Sequence, residues 1–177
     1  MTETYTESDE ELAEESILHI SKQWFRRASR ETSDWRERAV EDYAFVAGDQ
    51  WASEDQALLE EQMRPVITFN RIAPVIDSIV GFEVNNRRET RFIPREMGDA
   101  EVNDVLTSAA DWIRDESNAE DEETESFHDL VVCGMGWVET RMDYDHDPEG
   151  MVSIERVDPL EIYWDPAAKK KNLSDAT

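Results

Sequence analysis

The stretch that decides the fold class reads AEDEETESFHDLVVC (119–133), GMG (134–136) and WVETRMDYDHDPEGMVSIERV (137–157). In its first part, Phe127, Leu130 and Val131 share one side of a helix whose other side carries carboxylates. Gly134 is typical of a helix C-terminus, because glycine adopts the left-handed conformation found there. This part therefore predicts an amphipathic helix from about residue 119 to residue 132.

The second part of the stretch alternates apolar and polar residues with a period of two. Val138, Thr140, Met142 and Tyr144 alternate with Glu139, Arg141 and Asp143. This pattern predicts a half-buried strand, and residues 145–150 predict a turn to a returning strand through Val152 and Ile154. A helix followed by an antiparallel hairpin indicates an α+β fold, mainly helical, with short strands near its C-terminal end.

Working outward, the residues before this stretch are predicted to be mostly helical. Apolar residues recur every three or four positions from Glu11 to Val46, with an interruption at 29–34, and the pattern ends near Gly48. The predicted organisation is an acidic disordered tail at 1–11, a folded region at 12–166 and a polar tail at 167–177. Within the folded region, 12–134 is helical and 137–165 contains the hairpin and extended strands. Further predicted elements are a helix at 54–63, a strand at 66–69, a helix capped by Asn70, a strand at 90–94 and a helix after Asp99.

The net charge of this chain is unlike that of proteins that bind nucleic acid tightly. It carries 43 acidic and 18 basic residues, a net charge of −25. Sequence-independent DNA affinity comes from Lys and Arg displacing counterions, so this surface should repel a phosphate backbone. Hydrophobic residues make up 39% and charged residues 34%, so we expect a chain that completes its core against partners.

The cysteine content and the N-terminal residues indicate in which cellular compartment the protein is expected. Cys133 is the single cysteine, which excludes an internal disulfide and a cysteine-cluster metal site, and it is predicted to be buried. The acidic N-terminus has no apolar segment of the signal-peptide kind, and no apolar run reaches the length of a membrane span. We expect no membrane association and assembly in a cytoplasm.

No catalytic, cofactor or metal site is predicted, and we do not expect an enzyme. Asp143, Asp145 and Asp147 resemble the start of a calcium loop, but Pro148 and Ile154 occupy the positions that require Gly and Glu. The Gly-Met-Gly at 134–136 follows a helix and opens a strand, whereas a dinucleotide loop follows a strand and opens a helix. The three carboxylates are therefore predicted to form a polar turn.

An arginine cluster occupies the middle of the chain. Arg87, Arg88, Arg91 and Arg95 could contact phosphate, or could pair with acidic neighbours within or between subunits. The strongly negative net charge favours ion pairing.

The order of several motifs resembles the N-terminal region of the portal proteins of short-tailed, Salmonella-phage-like bacteriophages, from about residue 24 to residue 175. The motifs, in order, are residues 35–45, Gly48-Asp49-Gln50-Trp51, Arg64-Pro65-Val66-Ile67-Thr68-Phe69-Asn70-Arg71, Gly81-Phe82-Glu83, Asn85-Asn86-Arg87, Pro94-Arg95, Gly134-Met135-Gly136-Trp137 and Tyr163-Trp164-Asp165-Pro166.

The resemblance implies a structural subunit of a dodecameric ring at one capsid vertex, in a virion assembled in the host bacterial cytoplasm. DNA would pass through this ring without tight binding, and the large terminase subunit, scaffold or coat protein and tail factors would dock on it. It places residues 12–166 in an elongated wing and implies that the chain is truncated relative to the family. The implied packing and interface residues are Trp35, Trp51, Phe69, Arg71, Arg87, Arg88, Trp112 and Trp137. A different reading is a free-standing acidic interaction module, such as a DNA mimic that occupies a basic groove.

Overall fold

A computed structural model describes residues 7–87, 91–94, 100–145, 147–170 and 173–176. It confirms a mainly helical α+β fold with one antiparallel hairpin. Two compact units are present, Met1–Arg38 with Ile162–Thr177, and Ala39–Glu161. The elements in chain order are α1 (Glu7–Glu31), α2 (Ser33–Ala47), α3 (Ser53–Glu61), α4 (Ala73–Asn85), α5 (Ala100–Glu116), α6 (Ala119–Cys133), β1 (Trp137–Asp143) and β2 (Met151–Val157).

Helices α1 and α2 meet where the apolar spacing is interrupted. The break lies at Thr32, whose N–H donates to the carbonyl of Ala28 at 2.9 Å and whose own carbonyl accepts from Arg36 at 3.0 Å. The hydrogen-bond ladder therefore continues across the junction, and the two helices follow each other directly. At the N-terminal end, α1 begins at Glu7, inside the predicted acidic tail of residues 1–11, of which 1–6 lie outside the described residues.

The first unit is held together by aromatic contacts between α1 and the C-terminal segment. The rings of Phe25 and Tyr163 lie 4.5 Å apart, and the guanidinium of Arg36 lies 3.9 Å above the Tyr163 ring. Arg36 also donates to the carbonyl of Ile162. A cation over an aromatic face adds electrostatic attraction to the apolar contact, so these residues fasten the extended segment to the helices.

Helix α6 is the centre of the second unit. Strand β2 and helices α4 and α5 pack on it, and its buried positions are Ala119, Ser126, Asp129 and Cys133. The spacing of seven, three and four residues places these positions on one face. Gly134, with φ 83°, ends the helix as predicted.

The hairpin forms with the predicted strands, but the predicted burial of β1 is wrong. Pairing runs from Trp137 opposite Val157 to Asp143 opposite Met151. The apolar alternation is on the water-exposed side of β1, where Tyr144 just beyond the strand is 62% exposed, whereas Asp143 and Ser153 are buried. A two-stranded sheet lacks the apolar area to bury both faces, and α6 packs mainly on β2.

The strands predicted outside the hairpin are absent from the described residues. Residues 66–69, 91–94 and 160–164 lie in neither helix nor ladder, while Thr90 and Asp99 lie outside the described part of the chain. The predicted cap of α4 is wrong in position, because the N-cap is Ile72, without a side-chain capping hydrogen bond, and not Asn70. The side-chain oxygen of Asn70 accepts from the N–H groups of Ile72 and Ala73, both at 3.2 Å, and so satisfies donors in the approach to the helix.

Candidate functional site

The best-defined polar cluster surrounds Asp129 on the buried face of α6. Its side chain is 2% exposed and accepts three hydrogen bonds. The Tyr43 hydroxyl donates at 2.7 Å, and Nε and Nη2 of Arg156 donate at 2.5 and 3.0 Å. This carboxylate ties α2 and β2 to α6, because each partner belongs to a different element.

Two groups of this cluster, the Tyr43 hydroxyl and the Arg156 guanidinium, have raised pKa values. Burial, followed by the hydrogen bond to Asp129, raises the pKa of the Tyr43 hydroxyl far above its ordinary value of 10.0. The hydrogen bond to Asp129 is also the main cause that raises the pKa of Arg156. A phenol that stays protonated and a guanidinium that stays charged supply neither a base nor a nucleophile. The cluster is suited to fixing geometry.

Cys133 lies at the edge of this cluster and is buried, as predicted. Its thiol donates to the carbonyl of Asp129 at 3.2 Å, and its sulfur lies 3.7 Å from the Tyr43 oxygen. Both contacts lie within the fold, so the thiol is part of the packing of α6.

A second cluster of ion pairs joins α4 and α5 to α6. Arg87 pairs with Glu83 and Glu120 and donates to the Thr124 hydroxyl at 2.6 Å. The expected ion pairing of this arginine is therefore confirmed. Arg91 lines the same groove, which has a volume of about 720 Å³, and Arg88 and Arg95 lie outside the described residues.

Arg114 and Glu123 form a further ion pair in that groove. Their two hydrogen bonds measure 2.6 and 2.8 Å, which is a bidentate arrangement. The hydrogen bonds from Arg114 hold the pKa of Glu123 below its ordinary value, and the same bonds raise the pKa of Arg114. The groove therefore contains cations already paired with carboxylates of the same chain.

The carboxylates of the hairpin turn support the backbone. Asp143 accepts from the N–H of Asp145, and Asp147 accepts from the N–H of Glu149, both at 2.9 Å. These are Asx turns, as the turn interpretation predicts. Among the residues that the structure describes, no group of His, Cys, Asp or Glu is arranged to hold a metal ion.

The implied packing residues fall into two groups. Trp35 contacts Trp164 edge to face at 5.0 Å within the first unit. Trp137 is half-buried in the second unit, where its Nε1 is buried without a hydrogen-bond partner among the described residues. The other members, Trp51, Phe69, Arg71 and Trp112, are exposed, and Arg88 lies outside the described residues.

One exposed member, Phe69, belongs to an apolar surface that the spacing did not identify as exposed. Phe69 and Phe82, 81% and 71% exposed, stand at the ends of an apolar stripe along α4, whereas Ile76 on the same helix is buried. The signal was present in the sequence, because apolar residues cover more of α4 than one packing face needs. The stripe consists of Val75, Ile79 and Phe82 on α4 together with Phe69 and Ile72 in the segment before the helix.

No helix in the described ranges has the length and apolar character required to cross a lipid bilayer.

Comparison with known proteins identifies the family. The family model of the phage P22-like portal protein matches residues 22–177. The portal protein of Helicobacter pylori bacteriophage KHP30 is 21% identical over 152 residues, which are 82% of this chain and 25% of that protein. The chain thus spans about a quarter of the length of this relative. The family predicted from the order of motifs is confirmed, and the chain belongs to the phage P22-like portal protein family.

Proposed function

We propose that this protein is a structural subunit of a dodecameric ring at a capsid vertex, through which DNA is packaged and ejected. The observation that carries the proposal is the family match over residues 22–177. In this proposal residues 12–166 form an elongated wing of the subunit. The protein is part of the virion, and the large terminase subunit, scaffold or coat protein and tail factors dock on the assembled ring. Assembly takes place in the host bacterial cytoplasm.

The charge distribution supports a wall that DNA slides past. The net charge is −25, and arginines on several elements are paired with carboxylates of the same chain. Pairing lowers the capacity of a guanidinium to displace counterions from DNA. The arginines paired in this way include Arg87, Arg114, Arg141 and Arg156.

The exposed apolar surface supports contact with further copies. The α4 stripe and the exposed side chains of Val102, Val105 and Trp112 on α5 would be unfavourable in contact with water. In a ring, such surfaces become interfaces between subunits. We assign Trp51, Phe69, Arg71 and Trp112 to these interfaces, and Trp35 and Trp137 to packing within the subunit.

A structural role without catalysis also fits the polar clusters. Asp129, Tyr43 and Arg156 satisfy one another, and the carboxylates of the hairpin turn cap backbone groups. Polar groups committed in this way stabilise one arrangement of the chain.

Native mass spectrometry of the protein, expressed with its complete reading frame, tests the proposal. We expect one dominant species with the mass of a closed dodecamer, because a heterologous contact propagates until the ring closes. A monomer or a two-fold dimer at every concentration would overturn the proposal.

A further inference from the structure

The hairpin has two edges, and the edge of β2 is already occupied. The N–H of Arg156 donates to the Glu122 carboxylate at 2.6 Å. The carbonyl of Val152 accepts from the Ser117 hydroxyl at 3.1 Å. Side chains from α6 and from the turn before it therefore satisfy backbone groups that point away from β1.

The register fixes which groups point outward from β1. Val138 lies opposite Arg156, whose N–H is used elsewhere, so this is a non-hydrogen-bonded pair. Such pairs alternate with hydrogen-bonded ones, so the backbone groups of Val138, Thr140 and Met142 all face away from β2. None of these groups has a hydrogen-bond partner in the described part of the chain, and all three residues are exposed. Strand β1 thus presents an open edge, which is a template for another strand.

The same unit holds a segment with the complementary property. Residues 66–69, Val-Ile-Thr-Phe, have the composition of a strand, but their backbone groups make no hydrogen bond within the described residues. Both ends are anchored, since the Arg64 N–H donates to the Leu59 carbonyl at 2.8 Å and the Asn70 amide donates to the Val46 carbonyl at 2.7 Å. Ile67 and Phe69 are exposed between these anchors.

We propose that residues 66–69 of one copy add as an antiparallel strand to the β1 edge of a second copy. This inference rests on the proposed ring. Ile67 lies beside Thr140 and Phe69 beside Val138 of the other copy, so that apolar side chains meet on one face of the enlarged sheet. Main-chain hydrogen bonds supply the affinity, as in other cases of strand addition.

The arrangement is compatible with a ring because each copy donates one strand and accepts one. Donor and acceptor are different surfaces, so the contact is heterologous and continues from copy to copy. Pairing of β1 with β1 of a second copy would be two-fold symmetric, would stop at a dimer and would leave residues 66–69 without a partner. The unused segment therefore favours exchange between residues 66–69 and β1.

Disulfide trapping tests the proposed register. In a Cys133→Ser background, the double variant Ile67→Cys/Thr140→Cys brings its thiols together between copies in the proposed register. Opposed residues of a hydrogen-bonded antiparallel pair lie about 5.5 Å apart at Cα, which suits a disulfide. Mild oxidation should give a ladder of covalent oligomers on a non-reducing gel, and each single variant should stay monomeric. Absence of the ladder, or a covalent dimer from Thr140→Cys alone, would overturn the proposal.

A proline substitution tests the edge without breaking the hairpin. The Thr140 N–H points away from β2, so Thr140→Pro should keep the thermal transition of the monomer and abolish the ladder when added to Phe69→Cys/Val138→Cys, the other opposed pair of the proposed register. Arg141→Pro is the matched control. Arg141 lies in a hydrogen-bonded pair with Ser153, so the loss of its backbone N–H should disrupt the hairpin itself. A ladder that survives Thr140→Pro contradicts the inference.

Dodecamers by mass without any ladder would refute the strand exchange alone, whereas absence of dodecamers would refute the proposed function.

Discussion

At the scale of single residues, the second unit depends on a carboxylate almost completely removed from water. Asp129 joins Tyr43 and Arg156 through hydrogen bonds of 2.5 to 3.0 Å. Removing one member of a buried ion pair leaves the other charge uncompensated, which costs more than the pair contributes by its presence. The side chain of Arg156 is 28% exposed, so water offsets part of that cost.

Asp129→Asn should therefore lower the free energy of unfolding by about 2 to 3 kcal/mol. The physical reason is the loss of the charge that faces the Arg156 guanidinium. Urea unfolding followed by circular dichroism measures the change. Glu31→Gln is the matched control, because its pair with Arg27 is exposed and should contribute less than about 0.5 kcal/mol. Equal effects of the two substitutions would contradict this account of Asp129.

Tyr43 makes stability depend on alkaline pH. Its pKa is raised above 10.0 in the folded state, so below pH 10 both folded and unfolded chains keep the proton and this residue adds no pH dependence. Above pH 10 the unfolded chain releases the proton and the folded chain retains it, so stability falls as pH rises. In Tyr43→Phe this contribution should disappear. Between pH 8 and pH 11, the free energy of unfolding should decline more steeply for the unchanged protein than for Tyr43→Phe. Parallel curves for the two proteins would refute the prediction.

Residue identity alone indicated some of these roles. A lone cysteine among apolar neighbours predicted the burial of Cys133, and the strongly negative net charge predicted the ion pairs of Arg87. The role of Asp129 could not be predicted, because a carboxylate on an acidic helix normally faces water. Its partner Arg156 is 27 residues away, and only the packing of β2 on α6 brings the two together.

At the scale of elements, the backbones of α6 and β1 approach each other closely near the connection between them. A Cβ added at Gly136 would lie 2.0 Å from the backbone oxygen of Ser126, so the strand approaches the helix as closely as glycine allows. Gly81 in α4 is the opposite case, because an added Cβ would meet nothing within 4 Å. Close packing against another element therefore does not explain the glycine at position 81.

Substitution of these two glycines should change stability in opposite directions. Gly136→Ala should destabilise the protein by about 2 kcal/mol or more, since backbone must move to admit the methyl group. Gly81→Ala should stabilise it by up to about 1 kcal/mol, since alanine favours a helix interior. Thermal unfolding of both variants measures the difference. A neutral Gly136→Ala would show that the approach of β1 to Ser126 is looser than described.

Helices and strands differed in how well their patterns predicted them. The helices α5 and α6 formed at the predicted places because their hydrogen bonds are local and their apolar spacing is strong. Residues 66–69 have strand composition, yet a strand requires a partner that no local pattern specifies. The same reason explains β1, whose alternation predicted the strand but not which of its faces would be covered.

At the scale of the whole molecule, the net charge and the exposed apolar surface favour different kinds of partner. A net charge of −25 repels nucleic acid, while the α4 stripe favours contact with protein. The order of motifs predicted the family, because the motifs extend over almost the whole chain. The excess of apolar residues on α4 was visible in the sequence, but periodicity does not show which of them another element covers.

Duplex DNA should not bind the protein at physiological salt. The expected dissociation constant is weaker than about 10⁻⁴ M, the weak end of the range for non-specific DNA-binding proteins. Fluorescence anisotropy with a labelled duplex at several salt concentrations measures it. Micromolar binding that weakens steeply with added salt would show that the paired arginines are available to phosphate after all.

The central claim, that this chain builds the wall of a ring, is tested most directly by a cryo-electron microscopy map of the assembled protein. The account predicts a closed ring around an axial channel, with the α6 and hairpin unit repeated once in each subunit. It also predicts that each β1 edge is covered by residues 66–69 of the adjacent subunit. Particles without a central channel, or a ring in which residues 22–177 contact no neighbouring subunit, would contradict it.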